Sequence, residues 1–149
     1  APGFGPQVLA SMSVDGSNLK TYSRTVMLVD EPVVTEDNKI LFSGSTRDGH
    51  YRLYEVAIGS DEEPKLLVDG DRAISPRLSP DGSKIAYVDK GGNGRAQIFE
   101  ANRDGTEPRQ ISPDEGYSVS PVYTPDGKKL VYISSREGDR EIYSQNIRN

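Results

Sequence analysis

The residue types that carry chemistry are sparse, and most of them fall in turns. His50 is the only histidine and the chain has no cysteine, which excludes a multi-histidine or thiolate metal site within one chain. His50 follows an Asp-Gly pair, so we expect a solvated loop residue. No Gly-x-Ser-x-Gly pattern presents the serine of a hydrolase triad, and no helix follows the glycine-rich loop 91–94 to form a phosphate site. The sequence therefore predicts no catalytic residue.

Carboxylates are numerous, but they recur at a fixed spacing. Asp37, Asp81 and Asp126 lie 44 and then 45 residues apart, so we interpret them as turn residues of an internal repeat rather than as catalytic acids. Asp-rich turns such as 69–71 offer oxygen ligands for weak Ca²⁺ binding. They lack the dense ligand spacing of an EF-hand loop, so we predict no resident cofactor and no metal site.

The repeat extends well beyond the aspartates. The stretches 35–43, 79–88 and 124–133 align without gaps, and a second set, 52–56, 97–101 and 141–145, occupies equivalent places further on. A proline stands five residues before each aspartate, at Pro32, Pro76 and Pro121. Three coincidences at one period are very improbable by chance, so the chain is a tandem repeat.

Each repeat is expected to form four short strands, which we name A to D. Strand A runs from the proline to the Asp-Gly turn, and that turn leads into strand B because glycine supplies the positive φ of a tight hairpin. Strand B, as in Ile85–Val88, is almost continuously apolar, which is typical of a strand buried on both faces. No stretch has the apolar spacing and caps of a helix, so the sequence predicts an all-β chain.

The second copy resembles the TolB-type β-propeller repeat. The resemblance is carried by Ser79-Pro-Asp-Gly-Ser-Lys-Ile-Ala-Tyr, followed by Gln97-Ile-Phe and Asp104-Gly105. The third copy, from Thr124, matches equally well, whereas the first has Glu36 and Asn38 in place of Pro and Gly. The resemblance covers roughly residues 33–149 and implies four-stranded blades around a central channel. It implies no single chemistry, because such blades occur in periplasmic TolB, in gating domains of peptidases and in lyase-like enzymes.

The repeat also sets expected boundaries. Blade repeats are predicted at 32–75 and 76–120, with the first three strands of another at 121–149 and an N-terminal segment at 1–31. Asp15-Gly16 precedes Pro32 by 17 residues, as Asp104-Gly105 precedes Pro121. Residues 8–22 are therefore interpreted as the second half of a truncated copy.

The number of blades is too small for a closed ring. The repeat predicts roughly twelve strands, or three four-stranded blades with one blade split between the termini, whereas propellers close with about 4–8 blades. Either two chains join head-to-tail into a six-bladed ring, or the chain is a piece of a longer propeller. Donation of segment 7–14 between subunits is a third arrangement. Strand exchange is predicted to involve these residues: Asn18, Leu19, Tyr22, Ile142, Tyr143 and Ile147.

A second surface is predicted to face a partner. Tyr117 and Tyr123 flank strand A of the last repeat, near the expected channel mouth, and Arg47 and Arg136 occupy equivalent turns between strands B and C. With His50, these residues form our predicted partner-facing set.

Composition narrows the classes of function. The net charge of -5 argues against a nucleic-acid surface, and no apolar run is long enough to cross a bilayer. The leading hypothesis is a non-catalytic binding and assembly module that associates with itself and with other proteins or peptides, in the periplasm or outside the cell. The alternatives are a propeller fragment or gating domain of a larger hydrolase or lyase, and an engineered or reconstructed propeller fragment.

Overall fold

Strands and turns recur along the chain in the order that the repeat predicts. The computed structural model describes residues 7–23, 25–28, 30 and 32–149. These residues form fourteen strands and no helix, which confirms the all-β prediction. None of the described segments is therefore a helix that could span a membrane.

The strands build three antiparallel sheets and one separate hairpin. The hairpin pairs β1 (Ala10–Ser11) with β2 (Lys20–Thr21). Blade 1 contains β3 (Met27–Leu28), β4 (Val33–Val34), β5 (Lys39–Ser45), β6 (Arg52–Ala57) and β7 (Lys65–Val68). Blade 2 contains β8 (Ile74–Leu78), β9 (Lys84–Lys90), β10 (Ala96–Asn102) and β11 (Arg109–Gln110). Blade 3 contains β12 (Ser118–Tyr123), β13 (Lys129–Ser134) and β14 (Glu141–Asn146).

Strand A carries a bulge at the recurrent proline. Ser75 and Ser120 adopt positive φ angles of 55° and 58°, and the pairing of strand A with strand B shifts register at both places. Proline has no N–H to donate to the ladder, so within a sheet it stands at an edge or at a bulge, and the bulge bends the strand at this point. The proline repeat thus marks a backbone feature of strand A; the residue before Pro32 lies outside the described residues.

Blades pack face to face. Residues along strand B point alternately to the preceding and to the following blade, so each strand supplies apolar side chains to both neighbouring junctions. One cluster joins blade 1 to blade 2 and contains Leu41, Leu53, Leu67, Val68, Ala73, Ile85, Tyr87 and Ala101. Another joins blade 2 to blade 3 and contains Ala86, Val88, Ile98, Leu130 and Tyr132. Burial of each large apolar side chain contributes about 1.5–3 kcal/mol, so these layers hold the blades together.

The N-terminal hairpin repeats the turn geometry between strands C and D of blade 2. The Ser13 N–H donates to Ser17 O at 2.8 Å and the Gly16 N–H to Ser13 O at 2.9 Å. The Asn102 N–H donates to Thr106 O at 2.9 Å and the Gly105 N–H to Asn102 O at 2.8 Å. The hairpin therefore has the form of the C–D half of a preceding blade, as the interpretation of residues 8–22 expects. The predicted strand count included only its D strand, whereas the structure pairs two strands there.

Two equivalent glycines in these turns provide a matched test of blade packing. Gly16 and Gly105 have φ angles of 86° and 87°, but only at Gly105 would an added Cβ collide with the backbone carbonyl of Leu67 in the neighbouring blade. We expect Gly16→Ala to cost about 1–2 kcal/mol, from the positive φ alone. Gly105→Ala should cost about 3–5 kcal/mol because β7 must also move. Urea unfolding of both variants measures the difference, and equal losses would contradict this packing.

Candidate functional site

The clearest candidate site is the outer face of blade 3. One position of strand C points to the following blade in every copy, and it is occupied by Leu9, Leu53, Ile98 and Ile142. Leu9, Leu53 and Ile98 are 4%, 1% and 0% exposed, whereas Ile142 is 76% exposed. The same type of side chain is thus buried at each internal junction and left open at the last one.

Neighbouring side chains extend this open face. Val131 and Ile133 alternate along β13 with Leu130 and Tyr132, which pack on blade 2, and they are only half-buried. Val122, opposite Val131, is also exposed. Along the edge, β14 pairs with β13 and with no other strand of the part that the structure describes. An apolar face next to an unpaired strand edge is a surface on which a strand or sheet can add.

The opposite end of the stack is also apolar. On its inner side, the hairpin β1–β2 contributes Leu9 and Tyr22 to a cluster with Val26, Ile40, Phe42, Tyr54 and Val56 of the first blade. On its outer side, Val8, Met12, Val14 and Leu19 are exposed. Both ends of the described stack of blades therefore present apolar side chains to solvent.

Partly buried acid–base pairs link neighbouring blades. Glu55 of blade 1 accepts a hydrogen bond from Arg103, which follows strand C of blade 2. Glu100, at the equivalent place in blade 2, accepts one from Arg148 at 2.8 Å. In both cases the partners lie 48 residues apart in the sequence. Sequence reasoning missed these pairs, although their identical separation is a signal that the repeat alignment could have provided.

Glu100 is the centre of a larger cluster between blades 2 and 3. Its side chain is 2% exposed, and it accepts hydrogen bonds from Arg148, from Arg109 at 3.1 Å and from the Tyr123 hydroxyl at 2.8 Å. Burial, together with the Glu100 carboxylate, raises the pKa of Tyr123 well above its ordinary value. Tyr123 is therefore a neutral hydrogen-bond donor inside the junction, and its hydroxyl is already used.

The structure separates the two tyrosines that were predicted to face a partner together. Tyr117 immediately precedes β12 and Tyr123 is its last residue, so the two lie at opposite ends of the strand. Tyr117 accepts a hydrogen bond from Arg140, whose guanidinium lies 5.7 Å from the centre of its ring. Of the two, only Tyr117 lies at the end of the blade that carries the B–C turns.

The remaining predicted partner-facing residues do share that end. Arg47 is exposed and has a positive φ of 72°. His50 is exposed, and its Nδ1 lies 3.0 Å from an oxygen of Asp71. Arg136 stacks on the Tyr143 ring, with its guanidinium carbon 3.6 Å from the centroid. Three polar B–C loop residues are thus available on one side, but they do not converge on a common cavity.

The residues predicted for strand exchange have diverse environments. Asn18 has a φ of 56° in the hairpin turn, and Leu19 beside it is exposed. Tyr22 is buried, and its hydroxyl accepts a hydrogen bond from the Gly59 N–H at 2.9 Å. Tyr143 and Ile147 pack against the cluster between blades 2 and 3. Of the predicted set, Leu19 and Ile142 present large apolar side chains to solvent.

The Asp-rich turns are engaged in ion pairs. Asp69 accepts a hydrogen bond from Arg52 at 2.6 Å, and Asp71 lies 3.2 Å from the Lys90 ammonium. Within the described ranges, no group of three or more His, Asp or Glu side chains is arranged to hold a metal ion. The proposed Ca²⁺ ligands therefore have cationic side-chain partners in this structure.

The repeat aspartates lower their own pKa by organising the turn. Asp81 accepts hydrogen bonds from the Ser79 hydroxyl and from the Ser83 N–H and hydroxyl, and these lower its pKa to about 2. A depressed pKa stabilises the fold above the unfolded-state value near 4, and this stabilisation is lost as the pH falls towards 2. We expect Asp81→Asn to lower the urea midpoint at pH 6 and to have little effect at pH 2. Glu137→Gln, in an exposed turn, is the control, and a pH-independent difference would contradict the assignment.

These features define a segment of a β-propeller, and comparisons with solved structures place it more closely. A scan against protein-family models finds no match, and a search of curated protein sequences finds none either. A structure assigned as TolB from Agrobacterium tumefaciens matches 94% of the chain with a TM-score of 0.71 and 20% identity. TolB from Acinetobacter baumannii matches 95% with a TM-score of 0.74 and 24% identity. The chain therefore has a TolB-like β-propeller repeat fold.

The similar structures are longer than this chain. It spans 58% of the Agrobacterium protein and 35% of the Acinetobacter protein. A puromycin hydrolase is also similar, with a TM-score of 0.72 and 21% identity over 96% of the chain, which corresponds to 26% of the hydrolase. At these identities the likeness establishes the fold and leaves the activity to be argued from the surfaces.

Proposed function

We propose that the chain is a non-catalytic assembly and binding module that associates with a second copy of itself. In this arrangement the open end of blade 3 meets the N-terminal end of the other copy, and two chains together form a six-bladed ring. The ring is heterologous at each contact and closes after two copies, so it leaves no apolar end exposed.

The exposure of Ile142 is the observation that carries this proposal. Its counterparts in the three preceding C strands are buried against a following blade, and removing such a side chain from water is favourable by about 1.5–3 kcal/mol. Val131 and Ile133 add to the same face. Because the N-terminal end is also apolar, both surfaces that a ring would join are present on one chain.

The B–C loops are proposed as the surface that binds other proteins or peptides. Arg47, His50, Tyr117 and Arg136 lie at this end of the blades and are exposed or half-buried. Arginine and aromatic side chains are common at the centres of protein interfaces. We also infer action in the periplasm or outside the cell, in keeping with the TolB-like fold.

A second candidate function is the propeller part of a larger hydrolase. The likeness to puromycin hydrolase, of which the chain spans 26%, supports this candidate. A gating propeller would use its blades to cover a catalytic domain, and its outer blade faces would contact further blades of the same chain. Such a chain would not pair with a second copy of itself.

Light scattering on the 149-residue chain distinguishes these candidates. The assembly module should give a species of twice the chain mass of 16.3 kDa, with a mass that falls towards one chain on dilution. A folded chain that stays monomeric up to millimolar concentration would overturn self-association and favour the second candidate. Larger species that grow with concentration would indicate an open chain of copies instead of a closed ring.

A further inference from the structure

The chain contains the same C strand twice, once at each end. In the aligned repeats β1 and β14 occupy one position: Leu9 corresponds to Ile142, and Ser11 corresponds to Ser144. Both serines replace the glutamate that strand C carries in the other two blades, at Glu55 and Glu100. β1 and β14 therefore both lack the interblade carboxylate that β6 and β10 carry.

The D strand of this divided blade is β2, and β1 occupies the edge that a C strand would use. Ser11 lies opposite Lys20 in the hairpin, just as Glu100 lies opposite Arg109 in blade 2. A β14 strand from another copy, added with the register of blade 2, would place Ser144 opposite Lys20. The same edge of β2 cannot pair with both strands.

We propose that β1 holds the place of a second copy's β14, so that association requires β1 to leave β2. This inference rests on the proposed self-association and names the contact that controls it. In the assembled form β12, β13 and β14 of one copy and β2 of the other make one complete four-stranded blade. Ile142 takes the position of Leu9 on blade 1 of the partner.

The contacts of the hairpin favour the departure of β1 over that of β2. The second strand and the residues after it are tied to blade 1, because Lys20 pairs with Asp61, the Ser23 hydroxyl donates to Glu63 at 3.0 Å, and Tyr22 is buried. By contrast, β1 pairs with β2 at two residues, buries Leu9 and links the Ser11 hydroxyl to the Tyr22 hydroxyl at 2.7 Å. Its only further tie to blade 1 among the described hydrogen bonds is at Gln7, just before the strand, whose carbonyl accepts from the Leu28 N–H at 2.9 Å. β1 is therefore the strand with the smaller loss on release.

Exchange of the two strands conserves most interactions and adds others. The backbone hydrogen bonds of β2 are re-formed with the incoming strand, and a buried isoleucine replaces a buried leucine. The additional gain is the covering of Val131 and Ile133 and the pairing of the exposed β14 edge. The balance between the two forms is consequently set by chain concentration, as in other strand-exchanged dimers.

A reversible disulfide between β1 and β2 tests the proposal directly. Ala10 and Thr21 face each other in the hairpin, next to the hydrogen bond from the Tyr22 N–H to Leu9 O, and both are exposed. Such a non-hydrogen-bonded pair has a Cα separation that a disulfide can bridge, and the natural chain has no cysteine to interfere. We expect the oxidised Ala10→Cys/Thr21→Cys variant to be monomeric by light scattering. Reduction should lower the dimer dissociation constant at least tenfold, to the value of the unaltered chain.

A second pair of variants releases β1 instead of locking it. Leu9→Ser removes the side chain that anchors β1 and should increase the dimer fraction at a given concentration. Thr46→Ser, at an exposed position in the turn between β5 and β6, should leave that fraction unchanged. Circular dichroism of each variant reports whether blades 1 to 3 remain folded.

The outcomes separate this inference from the proposed function. If oxidised and reduced forms dimerise equally, self-association stands and the role of β1 is overturned. If the unaltered chain, the reduced form and Leu9→Ser are all monomeric, both are overturned. In the expected case, Lys20→Cys combined with Ser144→Cys should form a disulfide between two chains under oxidising conditions, whereas Ser144→Cys with Lys20 unchanged should give much less of this product.

Discussion

Replacing Ile142 by aspartate is expected to keep the chain monomeric at concentrations at which the unaltered chain forms dimers. In the proposed ring this side chain is buried against blade 1 of the partner, where a carboxylate has no cation to pair with. Loss of the apolar contact alone corresponds to about 1.5–3 kcal/mol at each junction. The ring has two such junctions, so the dimer should be weaker by on the order of 10²-fold to 10⁴-fold, and the desolvated charge adds to this loss.

The same substitution should leave the isolated fold almost unchanged. Ile142 is 76% exposed, and substitutions at exposed positions usually alter the free energy of unfolding by less than about 0.5 kcal/mol. Thr46→Asp is the control, because Thr46 is exposed in the turn between β5 and β6 and the substitution adds the same charge outside the proposed contact. Sedimentation equilibrium of both variants measures the dissociation constant. A normal dimer from Ile142→Asp, or an equal effect from Thr46→Asp, would contradict the assignment of this face.

The sequence was sufficient to predict the blades because their determinants are local. Asp81 and its neighbours form a hairpin turn through hydrogen bonds within five residues. Strand B is recognisable in the sequence as an apolar run. The partial blade in the N-terminal segment also followed from a single turn, Asp15-Gly16, in register with the repeat. These local features can be predicted without knowing how the blades are arranged relative to one another.

The interblade chemistry was not predictable in the same way. Glu100 looks like any charged strand residue until the following blade is placed on it, and only then does it contact Arg148. Tyr123 was assigned to a partner surface because its position flanks a strand, whereas its hydroxyl points into the blade 2–blade 3 junction. Contacts of this kind join residues of different blades, and a repeat alignment by itself does not provide them.

Replacement of Glu100 by glutamine is expected to be the most destabilising change of a single charge in the chain. The carboxylate is 2% exposed and accepts hydrogen bonds from two arginines and a tyrosine. Removing one partner of a buried ion pair costs about 3–5 kcal/mol, because the remaining charge loses its counter-ion. Glutamine has nearly the same shape, so the loss would come from charge and not from a cavity.

Three comparison variants should lower the free energy of unfolding less than Glu100→Gln does. Glu55→Gln should cost less, since the Glu55 side chain is 11% exposed and water screens its pair with Arg103. Arg148→Ala should also cost less than Glu100→Gln, because Arg109 still pairs with the carboxylate. Glu141→Gln, at an exposed position of β14, should change the free energy of unfolding by less than about 0.5 kcal/mol.

Urea unfolding at pH 7 and at low and high salt measures all four variants. If Glu100→Gln lowers the free energy of unfolding equally in low and high salt, the ion pair is buried, because salt screens buried pairs weakly. A loss no larger than that of Glu141→Gln would mean that packing alone joins blades 2 and 3. We expect Glu100→Gln to cause the largest decrease in the free energy of unfolding, because the buried Glu100 carboxylate holds blade 3 against blade 2. Because Ser144 replaces that carboxylate on the open face, a second copy docking there buries no unpaired glutamate at this position.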